Sequence, residues 1–284
     1  MIFRYSIQNE TLLKTFLYEH QFSKKTISAI KQNGALLVNQ KPVTVRTTLI
    51  EGDQLEVCLP DEVPSSSLKP YSKPLNILFE DEWLLIVAKP AGQNSAPSRE
   101  HPHRSLVEQA LAHMQMQNER GIPHIVTRLD RHTMGIVILA KSRHLHHLMT
   151  HTTIEKYYEC ICEGVLTKPG EIVAPIARQN DSIITRCVSE EGKYAKTLYW
   201  PIKNFKTYTL CRVKLITGRT HQIRVHFQFI GAPIVGDGLY GHEHPLYATQ
   251  LLKCAEIKFM HPITKSSLHI KNSHPDLSQQ LKTL

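Results

Sequence analysis

Four prolines fall between Pro60 and Pro74, interleaved with Ser65, Ser66, Ser67 and Ser72. Each proline holds φ near about −65° and removes a backbone donor, so no helix interior or central strand can run through this stretch. It also lacks apolar periodicity, the mark of a linker. It cuts the 284-residue chain unequally. The division expected is a small module over residues 1–60, a linker over 61–74 and a larger domain over 75–284, the last long enough to bury its own core.

The small module reads as helix, helix, then short strands. Leu12, Leu13, Phe16 and Leu17 make one helical stripe. Ser23 can cap a second helix, in which Ile27 and Ile30 share a face and which Gly34 can end. An apolar strand from Ala35 to Val38, a turn from Asn39 to Pro42 and a turn at Glu51-Gly-Asp53 follow, before a strand from Gln54 to Leu59. Charge is segregated. Residues 11–50 carry Lys14, Lys24, Lys25, Lys31, Lys41 and Arg46 against Glu19, net +5. Residues 51–62 carry Glu51, Asp53, Glu56, Asp61 and Glu62 with no cation, net −5. A basic helix face can sit on phosphates, and Lys24, Lys25 and Lys31 are the candidates for it; an ordinary solvated face is the plainer alternative.

The large domain mixes strands with a few helices, an α+β pattern with a mixed, mostly antiparallel sheet. Strands are expected at Asn76–Phe79, Trp83–Ala88, Lys156–Glu163, Lys193–Pro201 and Tyr208–Ile216. Ser105 and Glu108 have the spacing of a capping box, ahead of the apolar face Leu106, Val107, Ala110, Leu111 and Met114. A further helix turns Leu145, Leu148 and Met149 inward, and Thr220 can cap another with Ile223, Phe227 and Ile230 on one side, closed by Gly231.

Composition narrows the chemistry. A formal net charge of +9 favours a polyanionic partner, most simply nucleic acid. No apolar run approaches the roughly 20 residues that span a bilayer, and the first residues lack the plan of a signal peptide. Six scattered cysteines form no C-x-x-C pair, which fits free thiols in a reducing compartment. These features place the protein in the cytoplasm, away from membranes. His144, His147 and His151 share a helix face, but no acid or thiol completes a metal site there.

Four segments remain. The run His124 to Lys141 sets one carboxylate, Asp130, between Arg128 and Arg131, and then makes a Thr-Met-Gly turn into an apolar strand. A positioned, ionised carboxylate can act as nucleophile or base, whereas alone the run reads as a salt-bridged turn. Lys156-Tyr-Tyr-Glu-Cys-Ile-Cys-Glu-Gly164 pairs two tyrosines at a strand start. Ile216-Thr-Gly-Arg-Thr-His-Gln-Ile-Arg-Val-His226 sets Arg219 at a helix start and Arg224 within the helix. Gly231-Ala-Pro-Ile-Val-Gly-Asp-Gly-Leu-Tyr-Gly241 is a tight glycine loop without the ending of a P-loop.

Taken together, these segments resemble the RluA-type pseudouridine synthases over residues 74–265. The family pattern H-R-L-D-x-x-T-S-G corresponds to Thr127-Arg-Leu-Asp-Arg-His-Thr-Met-Gly135, and its G-R-T-H-Q-I-R-V-H run stands unchanged from Gly218 to His226. That run also separates it from the related RsuA-type enzymes. The family's opening strand is similar to Leu75–Phe79, and its K-P-A-G to Lys89–Gly92. The resemblance implies that Asp130 is the catalytic aspartate and that Arg224 pairs with it, with Arg219 the second candidate and otherwise a phosphate contact. It implies that Tyr158 stacks on the target base, that Arg128 fills the gap left by a departing base, and that Ile223 lines the site. It implies no cofactor, no metal and a monomer. The small module, over most of residues 11–59, resembles the alpha-L RNA-binding motif of ribosomal proteins, which suggests ribosomal over transfer RNA. Thr127, Met134 and Lys253-Cys254 depart from the pattern and bear on target choice. The alternatives are an RNA-binding ribosome-assembly factor that keeps the fold without the chemistry, and a hydrolytic glycosylase using the same aspartate.

Overall fold

In the computed structural model, which describes residues 1–182 and 184–283, no helix or strand forms between residues 59 and 76. Before that stretch lie β1 (Ile2–Ser6), β2 (Thr11–Leu12), α1 (Leu13–Glu19), α2 (Lys24–Asn33), β3 (Ala35–Val38), β4 (Lys41–Pro42), β5 (Thr48–Leu49) and β6 (Gln54–Cys58). The sheet order is β1-β6-β3-β4. Strand β1 is absent from the sequence reading. It is short, and its alternation becomes legible only once Phe3 is set opposite Val57 on β6. Helix α2 forms as its caps dictate: the Ser23 hydroxyl accepts from the Thr26 amide at 3.1 Å, and Gly34 ends it.

The remaining elements are β7 (Ile77–Glu80), β8 (Leu84–Lys89), α3 (Leu106–Met116), β9 (His124–Ile125), β10 (Met134–Ala140), α4 (Arg143–Thr150), β11 (Glu155–Glu163), β12 (Gly170–Val173), β13 (Ile176–Arg178), β14 (Arg186–Val188), β15 (Lys196–Phe205), β16 (Tyr208–Leu215), α5 (Gln222–Phe229), β17 (Leu252–Met260), β18 (Ser267–Lys271) and α6 (Leu277–Leu281). The central sheet runs β12-β15-β16-β11-β17-β10-β8-β7, with β18 on β17 and β9 on β10. Its pairings are antiparallel except that of β10 with β17. The fold is therefore α+β with a mostly antiparallel sheet, as the pattern of elements required. Gly135 makes the one parallel contact possible: its φ is +110°, and a Cβ there would meet the Cys254 carbonyl oxygen at 2.2 Å.

The Ser105–Glu108 capping box is present in full. The start of α5 differs from expectation. Thr220 does not cap it; His221 takes that position with φ +56° and no side-chain cap. Gln222 organises this end instead, accepting from the Arg219 amide at 2.9 Å and the Thr217 hydroxyl at 2.8 Å, and donating to the Lys196 carbonyl and the Thr197 hydroxyl, both at 3.0 Å. The helix start is thus held by strand β15.

The proline-rich stretch is tied down. The Tyr71 amide donates to the Glu108 carbonyl, and the Gln109 side chain donates to the carbonyls of Lys73 and Pro74. Glu62 accepts from the Arg143 amide at 2.7 Å and lies 2.6 Å from His124 Nε2. One apolar core runs across the junction of the two halves: Phe3 packs on Trp83 at 5.0 Å, and Phe22 stacks on His144 at 4.1 Å. His144 thus turns inward while His147 and His151 meet edge to face outside, so the three do not converge. Among the described residues no helix is long and apolar enough to cross a membrane.

Candidate active site

Asp130 lies in the turn between β9 and β10, and both flanks of that turn are clamped. The Ser95 hydroxyl donates to the Leu129 carbonyl at 2.8 Å and accepts from its amide at 3.2 Å. Lys89, at the end of β8 and 1% exposed, sends Nζ to the carbonyls of Pro90, Gln93 and Arg131 at 3.0, 2.8 and 3.0 Å. Burial pulls its pKa down to about 7, and the charge of Asp130 pulls back. Three carbonyl acceptors call for three N–H donors, which only the ammonium has. The aspartate is thereby presented on a rigid turn at the mouth of a cleft of about 450 Å³.

Sequence-distant residues meet in that cleft. Asp130, Tyr158, Ile223, Arg224, Arg128 and Arg219 all line it, from the β9–β10 turn, β11, α5 and the segment before α5. Arg128 and Arg219 are exposed at its rim. Tyr158, on the cleft face of β11, is 6% exposed. Burial, with Cys254 and Asp130 beside it, pushes its phenol well above the ordinary value, so it meets a ligand uncharged. Lys24, Lys25 and Lys31 are elsewhere, exposed on α2.

Arg224 reaches Asp130, as the sequence reading expected, and has a second, closer partner besides. Its strong partner is Asp237, bonded in bidentate fashion at 2.7 and 2.8 Å, with Asp237 1% exposed. Asp130 Oδ2 stands farther off, 3.5 Å from Nη1. Burial opposes the guanidinium charge, but the hydrogen bonds and charge of Asp237, with that of Asp130, outweigh it and raise the pKa. Arg219 donates its Nε to the Tyr194 carbonyl at 3.0 Å and pairs with neither acid. Arg131 is likewise spent locally, on the Gly92 carbonyl and His101.

Asp237 comes from the glycine loop, which the sequence reading singled out without giving Asp237 a role. Gly236 has φ +76°, and a Cβ there would meet the Thr249 carbonyl at 2.6 Å, so the glycine lets the loop close under Arg224. A carboxylate between two glycines was the signal available. Tyr240 of the same loop lies under the Arg224 guanidinium, 4.9 Å from ring centre to Cζ. His221 Nε2 is 3.8 Å from Asp130 Oδ2. The cleft therefore holds a carboxylate with two donors near one oxygen; among the described residues no hydrogen bond reaches Oδ1.

The three departures from the motif turn inward. Thr127 accepts from the Ile138 amide at 3.0 Å, Met134 is buried in β10, and Lys253 is held by Pro275 and Glu159 at 2.8 and 3.0 Å. Their contacts are structural, although Thr127 also borders the cleft.

Residues 83–229 match the family model described as RNA pseudouridylate synthase. The chain is 36% identical over 277 residues to the uncharacterized RNA pseudouridine synthase YjbO of Bacillus subtilis (strain 168), covering 95% of this chain and 98% of that protein. It is 32% identical over 273 residues to ribosomal large subunit pseudouridine synthase D of Pseudomonas aeruginosa, covering 92% and 83%. Human RNA pseudouridylate synthase domain containing 4 shares the fold, with a TM-score of 0.59 at 20% identity over 73% of this chain and 93% of that one.

Proposed function

The chain belongs to the RNA pseudouridine synthase family and is such an enzyme; on that premise we propose that Asp130 is its reacting carboxylate, in a site of the RluA type, and that its substrate is structured ribosomal RNA. The observation that carries this reading is the carboxylate itself, held on a doubly clamped turn with Arg224 and His221 near one oxygen and no hydrogen bond on the other among the described residues.

The reaction breaks the bond from uridine N1 to the sugar C1′, turns the base, and joins C1′ to C5. The C5 proton leaves and N1 gains one, so atoms and charge balance with no net oxidation. Asp130 attacks or moves the proton. The uridine first leaves its stack, at a cost of about a few kcal/mol, and stacking on Tyr158, worth about 1–3 kcal/mol per base, offsets much of that. Arg128, exposed and planar, enters the space the base vacates. Arg224 holds the carboxylate, Ile223 walls the pocket, and Arg219 at the rim meets a phosphate. The roles need no metal or cofactor.

Residues 1–60 form an alpha-L-type RNA-binding module, joined by 61–74 to a catalytic domain over 75–284. Its support is electrostatic. Within the module Glu56 is used by Arg4 and Asp53 by Asn39, and just beyond it Asp61 is used by Arg120 and Glu62 by His124. Among the described residues no ion pair engages Lys24, Lys25 or Lys31. A net excess of unpaired cations on one helix suits phosphates. The names of the relatives add weight to ribosomal RNA of the large subunit, and six free thiols suit a cytoplasmic enzyme.

The test is chemical mapping of pseudouridine in RNA from cells with and without the gene, complemented by wild type or Asp130→Asn. A ribosomal site should vanish on deletion and return with wild type only. Loss of sites in transfer RNA alone would redirect the substrate assignment, and a fully active Asp130→Asn would end the role given to the aspartate.

A further inference from the structure

His221 takes no part in the reaction as set out above, yet it sits in a demanding position. Its backbone is left-handed at φ +56°, a conformation that strains a side-chain-bearing residue and that persists where surrounding contacts enforce it. Those contacts are visible. Nδ1 is 2.7 Å from the Tyr240 hydroxyl, and that oxygen also accepts the Arg186 backbone amide at 2.8 Å. The Tyr240 oxygen accepts from Arg186, and the carboxylate opposite Nε2 can only accept, so the arrangement that satisfies every group has Tyr240 giving its own proton to Nδ1. Nδ1 then accepts, and the ring proton sits on Nε2. Nε2 faces Asp130 Oδ2 at 3.8 Å, while Arg224 Nη1 stands 3.5 Å from the same oxygen.

Both distances lie just beyond a good hydrogen bond, and a movement of about 1 Å closes them. We propose that His221 is a positioning residue for Asp130: its Nε2–H and Arg224 together engage Oδ2 when uridine enters, and so aim Oδ1 at the bond between sugar and base. The proposal rests on Asp130 being the reacting carboxylate. The groups facing the ring are Asp130 on its turn, Arg224 on α5, Asp237 and Tyr240 on the glycine loop, and Arg186 on β14. Burial lowers the imidazole pKa; Asp130 opposes this, and the cations of Arg224 and Arg186 reinforce it. At neutral pH the ring is thus a neutral donor. A second full cation would grip the carboxylate harder and blunt it as a nucleophile, whereas a neutral N–H orients it. The hairpin β13–β14 enters through one bond: the Arg186 amide fixes Tyr240, Tyr240 fixes the ring, and the ring faces the aspartate.

The experiment uses the full chain and total RNA from a gene-deleted strain labelled with 5-tritiated uridine, because joining C1′ to C5 releases the C5 hydrogen. Single-turnover release is measured for wild type, His221→Gly, His221→Asn, Tyr240→Phe and Asp130→Asn, with RNA affinity and melting temperature for each. Glycine removes the ring while accepting the left-handed backbone, and asparagine keeps a shorter N–H donor. His221→Gly should slow release by about 10²-fold, the scale of a misplaced reacting group, with RNA affinity unchanged. Added 4-methylimidazole should recover part of the rate, and His221→Asn should lie between. Tyr240→Phe leaves the ring in place and removes only the bond that sets its proton, so it tests the idea even if His221→Gly folds poorly; it should show a smaller loss of rate. The ratio of wild-type to His221→Gly rates should be level at neutral pH and shrink as the imidazole of the wild type is protonated. Wild-type rates in His221→Gly and Tyr240→Phe would overturn the proposal, as would losses confined to RNA affinity or melting temperature. A fully active Asp130→Asn would instead overturn the role of the aspartate.

Discussion

A hollow of about 960 Å³ lies at the junction of the two halves, whereas the Asp130 cleft encloses only about 450 Å³. A histidine lines each, buried at the junction and half-buried in the cleft. At the junction, His144 stacks flat on Phe22 and meets the edge of Phe3, its Nδ1 has no partner, and burial takes its pKa down to about 4. In the cleft, His221 has one nitrogen fixed by Tyr240 and the other turned to a carboxylate. The junction histidine acts as an aromatic plate. The cleft histidine has a polar partner on both sides, one of them held just out of reach. Size does not mark the place where chemistry occurs. A carboxylate whose two donors stand loosely, 3.5 and 3.8 Å away, is the better candidate, because such a group can still change partners when substrate arrives.

The comparison can be broken most directly at Asp130. Asp130→Asn keeps the shape and removes the charge, and should cut tritium release by about 10³-fold or more while leaving the urea unfolding midpoint unchanged. An equal fall in stability would mean that the two regions do not differ in kind. Asp237→Ala attacks the support instead of the reacting group. It strands the Arg224 charge in a buried setting and should destabilise the protein by about 3–5 kcal/mol in urea unfolding, with Asp237→Asn milder because its amide oxygen still accepts.

The junction responds to pH. Because the folded pKa of His144 lies below its unfolded value, the unfolded chain binds more protons between about pH 6.5 and 4, and stability falls as pH drops through that window. The loss from this group approaches about 3 kcal/mol, judged from the depth of the shift. His144→Leu should flatten that part of the pH dependence of urea unfolding without changing activity at neutral pH. The smallest effect is expected on α2. Replacing Lys24, Lys25 and Lys31 by Gln should lower the salt dependence of RNA binding, by roughly 0.7–0.9 in log–log slope for each phosphate no longer neutralised, and leave single-turnover release at saturating RNA intact. An unchanged slope in a filter-binding salt series would show that this face does not touch RNA.

Legibility differed between the two regions for physical reasons. Asp130, Tyr158, Ile223 and Arg224 sit within contiguous motifs whose residue types carry their chemistry, and the structure brings all four to one cleft. Asp237 was missed because its loop displays glycines, a backbone signal, and what the backbone achieves there is seen only once the Arg224 side chain lies above it. The cap of α5 was misplaced because Thr220 has the right chemistry for a cap, while the helix start is set by Gln222 bonding to a strand more than twenty residues away. Strand β1 escaped notice because five residues alternate too briefly to be read without β6.

Local chemistry settled what the chain could decide alone: the proline-rich break, the capping box at Ser105, the cap at Ser23, the inward faces of α3 and α4, and the α+β class. These depend on neighbours within one turn of helix or one pleat of strand, so spacing encodes them. The tertiary structure decided everything that depends on distance through space. It gave Arg224 to Asp237 before Asp130, turned His221 toward the carboxylate and His144 into an aromatic stack, and tied the linker to α3. Electrostatic energy falls with separation and is strengthened by burial, and neither quantity is written in the order of the residues.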